Sequence, residues 1–197
     1  MKQSPLATLL ENREILLASK SPRRQQLLRD LGLDFRIVER EVDESFPPEL
    51  QHAEIPMYLS KKKADALSTE LLKHQILITA DTVVWHENLV YNKPSDRSEA
   101  IEMLTKLQGS THTVYTGVTL TGIDKQRTFS DSTEVDFQAL QAEEIEFYVD
   151  HYKPFDKAGS YGAQDWIGLV GVCALRGSYF NVMGLPVHLL YAELKKF

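Results

Sequence analysis

A short apolar run that passes directly into a helix start is the feature that most restricts how this chain folds. Residues 15–19 (ILLAS) have the character of a buried strand. Ser21 and Pro22 follow at once, and these residue types are favoured at the N-cap and first position of a helix. Gly32 is placed to end that helix, and residues 35–38 resume extended structure. The order strand, helix, strand predicts a βαβ unit with parallel strands.

The alternation of helical and extended patterns continues along the chain. Residues 54–73 predict a long helix, residues 76–80 (ILITA) a second buried strand, and residues 112–138 two long strands around a turn. An amphipathic helix is expected over residues 141–152, and Pro186 opens a closing helix. The sequence therefore predicts an α/β fold with a mixed sheet.

Shorter patterns give further expectations about local structure. Residues 83–85 and 89–91 flank the turn-prone HEN sequence and predict a hairpin. Ser95 is placed to cap the helix that follows it. Residues 167–175 and 178–182 are expected to be extended.

Composition narrows the class of protein. The 197 residues are 43% hydrophobic and 25% charged, which is ordinary for a folded protein of this length. A net charge of -6 argues against a nucleic-acid-binding surface but leaves room for a local phosphate site. Cys173 is the only cysteine, so no disulfide forms within the chain. With no signal peptide and no membrane-length apolar run, we expect a cytoplasmic protein without a membrane partner.

Residues 19–24 (SKSPRR) form a candidate phosphate site at the start of the first helix. Exposed backbone N–H groups and the helix dipole attract phosphate to such a position. Arg23 and Arg24 add planar charged donors that suit phosphate oxygens. A capped helix with two solvated arginines explains the same residues, and the sequence leaves both interpretations open.

Asp81 directly follows the apolar run 76–80. Ligand sites in open α/β sheets lie beyond the carboxyl ends of the strands. A carboxylate placed there binds a metal ion or accepts a proton from water. An aspartate that caps a neighbouring element is the alternative.

Four further segments carry charged or glycine-rich patterns that suit a ligand. Lysines 61–63 and Lys93 could bind an anion, although a lysine run on a helix is usually a solvated face. Residues 41–44 (EVDE) could bind a divalent ion, and an exposed acidic turn is the alternative. The glycines of residues 156–164 permit close approach to a ligand, but they also suit a structural loop.

Eight short segments, in a fixed order, resemble the motifs of the Maf family of nucleoside triphosphate pyrophosphatases. They are LASKSPRR at 17–24, EVDES at 41–45, KKKA at 61–64, ADTVV at 80–84, NKP at 92–94, HTVYTG at 112–117, DKAGSYGAQ at 156–164 and NVMGLP at 181–186. About the first 13 residues fall outside this resemblance. It implies a single Maf-like domain over residues 1–197, built as two lobes, with residues 1–13 as an N-terminal extension.

The resemblance also implies a fold and an activity. The fold is an elongated mixed sheet flanked by helices, with a central cleft, similar to that of the inosine-triphosphate pyrophosphatases. The activity is attack of water on the α-phosphate of a nucleoside triphosphate, which yields the monophosphate and pyrophosphate with Mg²⁺ or Mn²⁺ as cofactor. Such catalysis consists largely of positioning and of cationic stabilisation of the phosphates. A homodimer is also implied as a possible assembly.

Site residues follow from the same resemblance. Asp81 is implied to be the catalytic proton acceptor. The side chains implied to line the triphosphate are Ser19, Arg23, Arg24, Lys63 and Lys93. Asp43 and Glu44 are implied to hold the metal together with Asp81. No catalytic role is assigned to the HTVYTG segment.

Three positions of the family motifs mark substrate specificity, and here they are Arg23, Thr82 and Gln164. This set resembles the branch that cleaves dTTP and UTP, whereas a branch acting on 7-methyl-GTP resembles Trp, Gln and Glu at these places. Gln164 both donates and accepts hydrogen bonds, so it suits a uracil or thymine edge.

Other functions stay open at this point. The chain could be a 7-methyl-GTP or modified-nucleotide pyrophosphatase, or a non-catalytic nucleotide-binding regulator of cell division. A nicotinamide-dependent oxidoreductase is excluded by the missing GxGxxG sequence. In each open case the partner is a small nucleotide and not a nucleic acid.

Overall fold

The computed structural model describes residues 4–197, so residues 1–3 of the expected extension lie outside the described residues. The strands are β1 (Glu14–Leu17), β2 (Phe35–Ile37), β3 (Gln75–His86), β4 (Leu89–Tyr91), β5 (Thr111–Thr121), β6 (Gln126–Phe137) and β7 (Val172–Arg176). The helices are α1 (Pro5–Leu9), α2 (Pro22–Asp30), α3 (Glu54–Ser68), α4 (Arg97–Leu107), α5 (Ala142–Tyr152), α6 (Trp166–Gly171), α7 (Tyr179–Val182) and α8 (Val187–Leu194), with a short 3₁₀ helix at Ala158–Ser160.

The strands form one mixed sheet in the order β2-β1-β3-β5-β6-β7, with β4 paired to β3. Strand β1 pairs in parallel with both β2 and β3. The pairings of β3 with β4 and of β6 with β7 are antiparallel. The predicted α/β class with a mixed sheet flanked by helices is confirmed.

The βαβ unit at the start of the chain is built as the sequence predicts. Ser21 is the N-cap of α2 and accepts a hydrogen bond from the Arg24 N–H at 3.5 Å. Pro22 is the first helical residue. Gly32 adopts φ +73° after the helix, a conformation that costs a glycine little.

Helix α3 ends earlier than its apolar pattern suggests. The expectation of helix to residue 73 was wrong, because α3 stops at Ser68. The Leu72 N–H donates to the side-chain oxygen of Gln75 at 2.9 Å instead of continuing the helical ladder. This contact brings the chain directly into β3.

Strand β3 is longer than the sequence suggests. Its parallel pairing with β1 ends at Ile78, and its antiparallel pairing with β4 begins at Val84. The sequence predicted separate extended segments at residues 76–80 and 83–85. That separation is wrong, because one strand continues through both segments while its pairing partner changes. Asp81 consequently lies inside a continuous strand, three residues past the parallel ladder.

The start of α4 also differs from expectation. Asp96, not Ser95, is the N-cap, and its carboxylate accepts from the Glu99 N–H at 2.9 Å. Ser95 contributes differently, because its N–H and hydroxyl donate to the Glu99 carboxylate at 2.7 and 2.6 Å.

The extended structure predicted for residues 167–175 and 178–182 was mostly wrong. Only β7, Val172–Arg176, is extended, and it is preceded by α6 and followed by α7. A short apolar run does not distinguish a buried strand from a buried helix by periodicity. Gly168 lies in α6 against the Ala163 carbonyl oxygen, and a Cβ at this position would lie 2.0 Å from it.

Two compact units divide the described chain. Unit 1 contains the residues up to Asp81, together with Thr116–Asp131 and Gly184–Phe197. Unit 2 contains Thr82–Tyr115 and Ser132–Met183. Within unit 2 the core joins helices α4 and α5 to β-strand side chains, and it includes Leu104, Leu107, Val135, Ile145 and Tyr148. No helix of residues 4–197 combines the length and apolar character that a membrane crossing requires.

Candidate active site

A single lysine of unit 1 lies between two carboxylates. The Lys63 ammonium is 2.5 Å from Asp81 Oδ1 and 2.7 Å from Glu44 Oε1. The side chains of Lys63 and Asp81 are only 17% and 12% exposed, whereas that of Glu44 is 48% exposed. The arrangement therefore places a mostly buried ion pair at the edge of solvent.

Buried hydroxyl groups fix the position of this ion pair. Thr79 donates to the Ser60 carbonyl oxygen at 2.7 Å, which joins β3 to α3. Thr79 and Asp81 lie on one face of the strand, because side chains two residues apart in a strand point the same way. Ser60 and Lys63 lie three residues apart on one face of the helix. The contact between Thr79 and Ser60 therefore brings Lys63 and Asp81 together.

The three consecutive lysines of α3 have different partners. Lys61 pairs with Asp65 at 2.6 Å, and Lys62 pairs with Asp43 at 3.1 Å. Successive helical residues point about 100° apart, so only Lys63 is turned toward Asp81. A solvated lysine face describes Lys61, which is 53% exposed, but it does not describe Lys63.

Asp43 is held away from the ion pair by its own contacts. Its carboxylate accepts hydrogen bonds from the hydroxyl and the N–H of Ser45, and one from the Lys62 ammonium. These contacts, with those from Ser45 the largest, lower the pKa of Asp43 to about 2. Its side chain is 72% exposed. Asp43 therefore anchors the acidic loop on α3 through Lys62.

The acidic residues implied to bind metal meet only in part. No group of three or more His, Cys, Asp or Glu side chains suited to a metal ion occurs within residues 4–197. Glu44 and Asp81 do come together, because both contact the Lys63 ammonium. Mg²⁺ commonly takes one or two protein carboxylates and completes its shell with water and substrate phosphates. This pair fits such an ion, and Asp43 in its present contacts does not add a third ligand.

Arg24 is partly buried and held in place. Its Nε–H donates to the Gly184 carbonyl oxygen at 2.8 Å, and a terminal nitrogen lies 3.4 Å from the Ser19 hydroxyl. Burial lowers the pKa of Arg24, and the carboxylate of Asp81 acts in the opposite direction. The alternative of two solvated arginines is therefore wrong for Arg24.

Ser19 and Arg23 complete the helix-start segment. The Ser19 hydroxyl accepts from the Ser21 N–H at 3.2 Å, at the start of α2. The charge of Arg23 is close enough to Arg24 to lower the pKa of Arg24 further. Unit 1 thus gathers most of the site residues that the sequence indicated, namely Ser19, Arg23, Arg24, Glu44, Lys63 and Asp81.

The remaining candidates lie in unit 2. Thr82 follows Asp81 in β3, and Lys93 is an exposed residue of the segment after β4. The Asn92 carbonyl oxygen, next to Lys93, accepts from the Gly159 N–H at 3.2 Å. Two segments singled out in the sequence, 92–94 and 156–164, therefore meet within this unit.

Gln164 is oriented by a neighbour that the sequence analysis did not single out. Its amide Nε2 donates to Asp165 Oδ1 at 3.1 Å. Asp165 Oδ2 in turn lies 2.8 Å from the Tyr148 hydroxyl and 3.7 Å from the Lys157 ammonium. The adjacency of Gln164 and Asp165 is visible in the sequence, but the contact of Asp165 with Tyr148 on α5 is not.

The fold and the site define an α/β protein with a mixed sheet. Arginine, lysine and carboxylate side chains from the sheet, the helices and a loop come together in its candidate site. The model of the Maf-like protein family matches residues 14–197. The chain belongs to the Maf-like protein family.

Curated relatives match almost the whole chain. A dTTP/UTP pyrophosphatase of Bacteroides fragilis is 51% identical over 188 residues, which cover 95% of this chain and 97% of that protein. A dTTP/UTP pyrophosphatase of Bacteroides thetaiotaomicron is 49% identical with the same coverage of 95% and 97%. The protein of the same name from Cytophaga hutchinsonii is 49% identical over 187 residues, which cover 95% of this chain and 85% of that protein.

Among solved structures, the Ham1 protein of Staphylococcus aureus is similar to this chain with a TM-score of 0.49 and 16% sequence identity. The match covers 93% of this chain and 99% of that chain. A similarity at this level carries no argument about function.

Proposed function

We propose that this protein hydrolyses nucleoside triphosphates, with dTTP and UTP preferred, to the monophosphate and pyrophosphate. The observation that carries the proposal is the Lys63–Asp81 ion pair, with Glu44 on the same ammonium and Arg24 close by. The names of relatives that are 49–51% identical over nearly the whole chain support the same activity. We propose a small nucleotide as the partner on the same grounds, and we also propose a cytoplasmic location.

The reaction requires water to attack the α-phosphorus. At the same time the bond breaks between that phosphorus and the oxygen that bridges it to the β-phosphorus. Asp81 accepts the proton that water loses, and pyrophosphate leaves with the bonding electrons. Asp81 is suited to this role because Lys63 binds its Oδ1, and the carboxylate has a second oxygen, Oδ2. The second oxygen is therefore placed to accept a hydrogen bond from water.

Lys63 donates hydrogen bonds both to the two carboxylates and to the substrate phosphates. An ammonium group has three N–H donors, and the two contacts to Asp81 and Glu44 occupy two of them. The third is directed to a phosphate oxygen of the substrate. Negative charge that develops on the leaving pyrophosphate is stabilised by a donor of this kind, held in advance in the correct place.

Ser19, Arg23 and Arg24 bind the phosphates at the start of α2. The guanidinium of Arg24 is fixed through Nε to the Gly184 carbonyl, so its terminal nitrogens have a defined direction. Lys93 is proposed as a further triphosphate ligand, and Thr82 and Gln164 as residues that bind the nucleoside.

A divalent cation, Mg²⁺ or Mn²⁺, neutralises phosphate charge and polarises the phosphorus–oxygen bonds when it is bound. Glu44 and Asp81 are the residues that would hold it. Asp43 is not included, since its carboxylate is bonded to Ser45 and Lys62.

The experiment is a panel of nucleoside triphosphates with Mg²⁺, assayed for pyrophosphate release by the purified protein. We expect release from UTP and dTTP, and loss of that release in Asp81→Asn. Asp65→Asn is the matched control, because Asp65 also pairs with a lysine of α3 but contacts Lys61 on the exposed side. Binding of UTP without release would instead favour the nucleotide-binding regulator. Faster release from 7-methyl-GTP would favour the other pyrophosphatase branch.

A further inference from the structure

The orientation of the Gln164 amide is set by a chain of contacts within unit 2. The amide Nε2 donates to Asp165 Oδ1 at 3.1 Å. A carboxylate only accepts hydrogen bonds, so the NH₂ side of the amide must face Asp165. The carbonyl oxygen of Gln164 therefore points away from Asp165. This oxygen is buried and has no hydrogen-bond partner within residues 4–197.

Asp165 is itself held by donors on its other oxygen. The Tyr148 hydroxyl accepts from the Gly162 N–H at 3.1 Å and directs its own hydrogen to Asp165 Oδ2 at 2.8 Å. The Lys157 ammonium lies 3.7 Å from the same oxygen. The side chains of Asp165 and Lys157 are 16% and 12% exposed, and Tyr148 is fully buried. Asp165 thus has little freedom to turn away from Gln164.

Gly162 provides the room that this arrangement needs. A Cβ at position 162 would lie 2.5 Å from Gln164 Nε2 and 2.7 Å from Asp165 Oδ2. Any side chain here would displace both groups. Gly162, Tyr148 and Asp165 therefore together set the orientation of the Gln164 side-chain amide.

We propose that Asp165 is a positioning residue that fixes Gln164 with its carbonyl oxygen presented to an N–H donor of the nucleobase. This inference depends on the proposed pyrophosphatase function and refines its base selectivity. Uracil and thymine carry such a donor at N3, and it would satisfy the buried Gln164 oxygen. Cytosine has only a lone pair at N3, which would face the same oxygen as a second acceptor. The arrangement therefore selects UTP and dTTP against CTP.

Asp165→Asn tests the orientation, because an asparagine has one oxygen and one NH₂ group where aspartate has two oxygens. Tyr148 and Lys157 both donate, so they draw the asparagine oxygen to their side. The asparagine NH₂ then faces Gln164 and turns the glutamine amide over. The NH₂ of Gln164 would then be presented to the base, which suits cytosine N3 and not the N3–H of uracil.

The measurement is kcat/KM for pyrophosphate release from UTP and from CTP, with inorganic triphosphate as a competitive inhibitor that lacks a base. In Asp165→Asn we expect the ratio of UTP to CTP to fall about tenfold, with the inhibition constant of triphosphate unchanged. A merely structural role would weaken both nucleotides and the inhibitor alike. Asp156→Asn is the matched control, because Asp156 also pairs with Lys157, at 2.8 Å, but is not a partner of Gln164.

If Asp165→Asn does not fold, Gly162→Ala is tested in its place. We expect the same fall in the ratio of UTP to CTP. An unchanged ratio in a folded variant, from a wild-type protein that hydrolyses UTP, would overturn the role of Asp165 and leave the proposed function intact. An equal fall in Asp156→Asn would also overturn it. A wild-type protein that releases no pyrophosphate from any nucleotide would instead remove the proposed function.

Discussion

Gly117 of β5 lies so close to Pro56 of α3 that a Cβ at position 117 would come within 2.3 Å of the Pro56 carbonyl carbon. Helix and sheet are therefore in direct backbone contact at this point. Lys63 is carried by the same helix, two turns further on, where it meets Asp81. The distance between Lys63 and Asp81 thus depends on a residue that has no side chain.

Gly117→Ala should move α3 away from the sheet and damage both stability and activity. We expect a loss of about 2 kcal/mol in the free energy of unfolding, as for other overpacked sites, and a lower kcat for pyrophosphate release. Gly122→Ala is the control, because its Cβ would meet the Phe197 ring at 3.2 Å and the Gln75 carbonyl oxygen at 3.9 Å, with no backbone atom closer than that. Urea unfolding and steady-state kinetics measure the two effects. A fully active Gly117→Ala would show that the helix position does not set the ion pair.

Arg24→Lys should reduce activity although the positive charge is kept. A lysine cannot bind the Gly184 carbonyl and direct planar donors to phosphate at the same time. We expect kcat/KM to fall about 100-fold, as when a fixed donor to a developing charge is removed. Arg29→Lys on the same helix is the control, since the Arg29 side chain makes an exposed contact with Gln25 and a cation–π contact with Phe35. Equal kinetics for the two variants would contradict a directed role for Arg24.

Lys63→Met should be more damaging than Lys61→Met. The first change leaves the mostly buried Asp81 carboxylate without its ammonium partner, which costs about 1–3 kcal/mol of stability. It also removes a proposed phosphate ligand, so we expect pyrophosphate release to drop at least about 100-fold. Lys61→Met only breaks an exposed pair with Asp65. Thermal unfolding and release assays on both variants separate the two positions.

Stability should fall as the pH drops below about 6.5, in part because of His112. Burial lowers the pKa of this histidine to about 3 in the folded protein, below its ordinary value of 6.5. Between these two pH values the unfolded chain binds a proton that the folded chain does not. The stabilisation is therefore complete above pH 6.5 and is lost toward pH 3, by up to about 1.36 kcal/mol per pH unit.

His112→Gln provides the comparison for this pH dependence. Urea unfolding at several pH values should give a shallower decline for the variant than for the wild type. The variant also loses the 2.7 Å contact between His112 Nε2 and the Tyr161 hydroxyl, so its stability at neutral pH should be lower. Parallel pH profiles for the two proteins would assign the acid sensitivity to other groups.

Local chemistry made the helix-start segment predictable. The types and order of Ser21, Pro22 and Gly32 determine where α2 begins and ends, and each acts within one turn of chain. The same local signals failed at Ser95, because Asp96 was an equally good cap one residue later. They failed again in the region of α6 and α7, where short apolar runs fit both kinds of structure.

Long-range contacts made the rest of the site inaccessible to sequence reasoning. The sequence pointed to Lys63 and Asp81, but not to Thr79 and Ser60, whose bond between strand and helix brings them together. It assigned no role to the HTVYTG segment, whose Gly117 sets the approach of α3. Such roles depend on which residues meet after folding, and no local pattern encodes that.

The contacts of Lys63 with Glu44 and Asp81 affect which anions the protein attracts. Lys63 and Arg24 contribute two positive charges, and Glu44 and Asp81 contribute two negative ones, so these four side chains together are neutral. A bare polyanion therefore gains little from these four side chains, since Lys63 and Arg24 already have carboxylates beside them. A phosphate chain that arrives with its own counter-cation leaves the balance undisturbed. We therefore expect these four side chains to bind a phosphate chain that carries a divalent cation better than they bind plain phosphate or sulfate, which should be poor competitors.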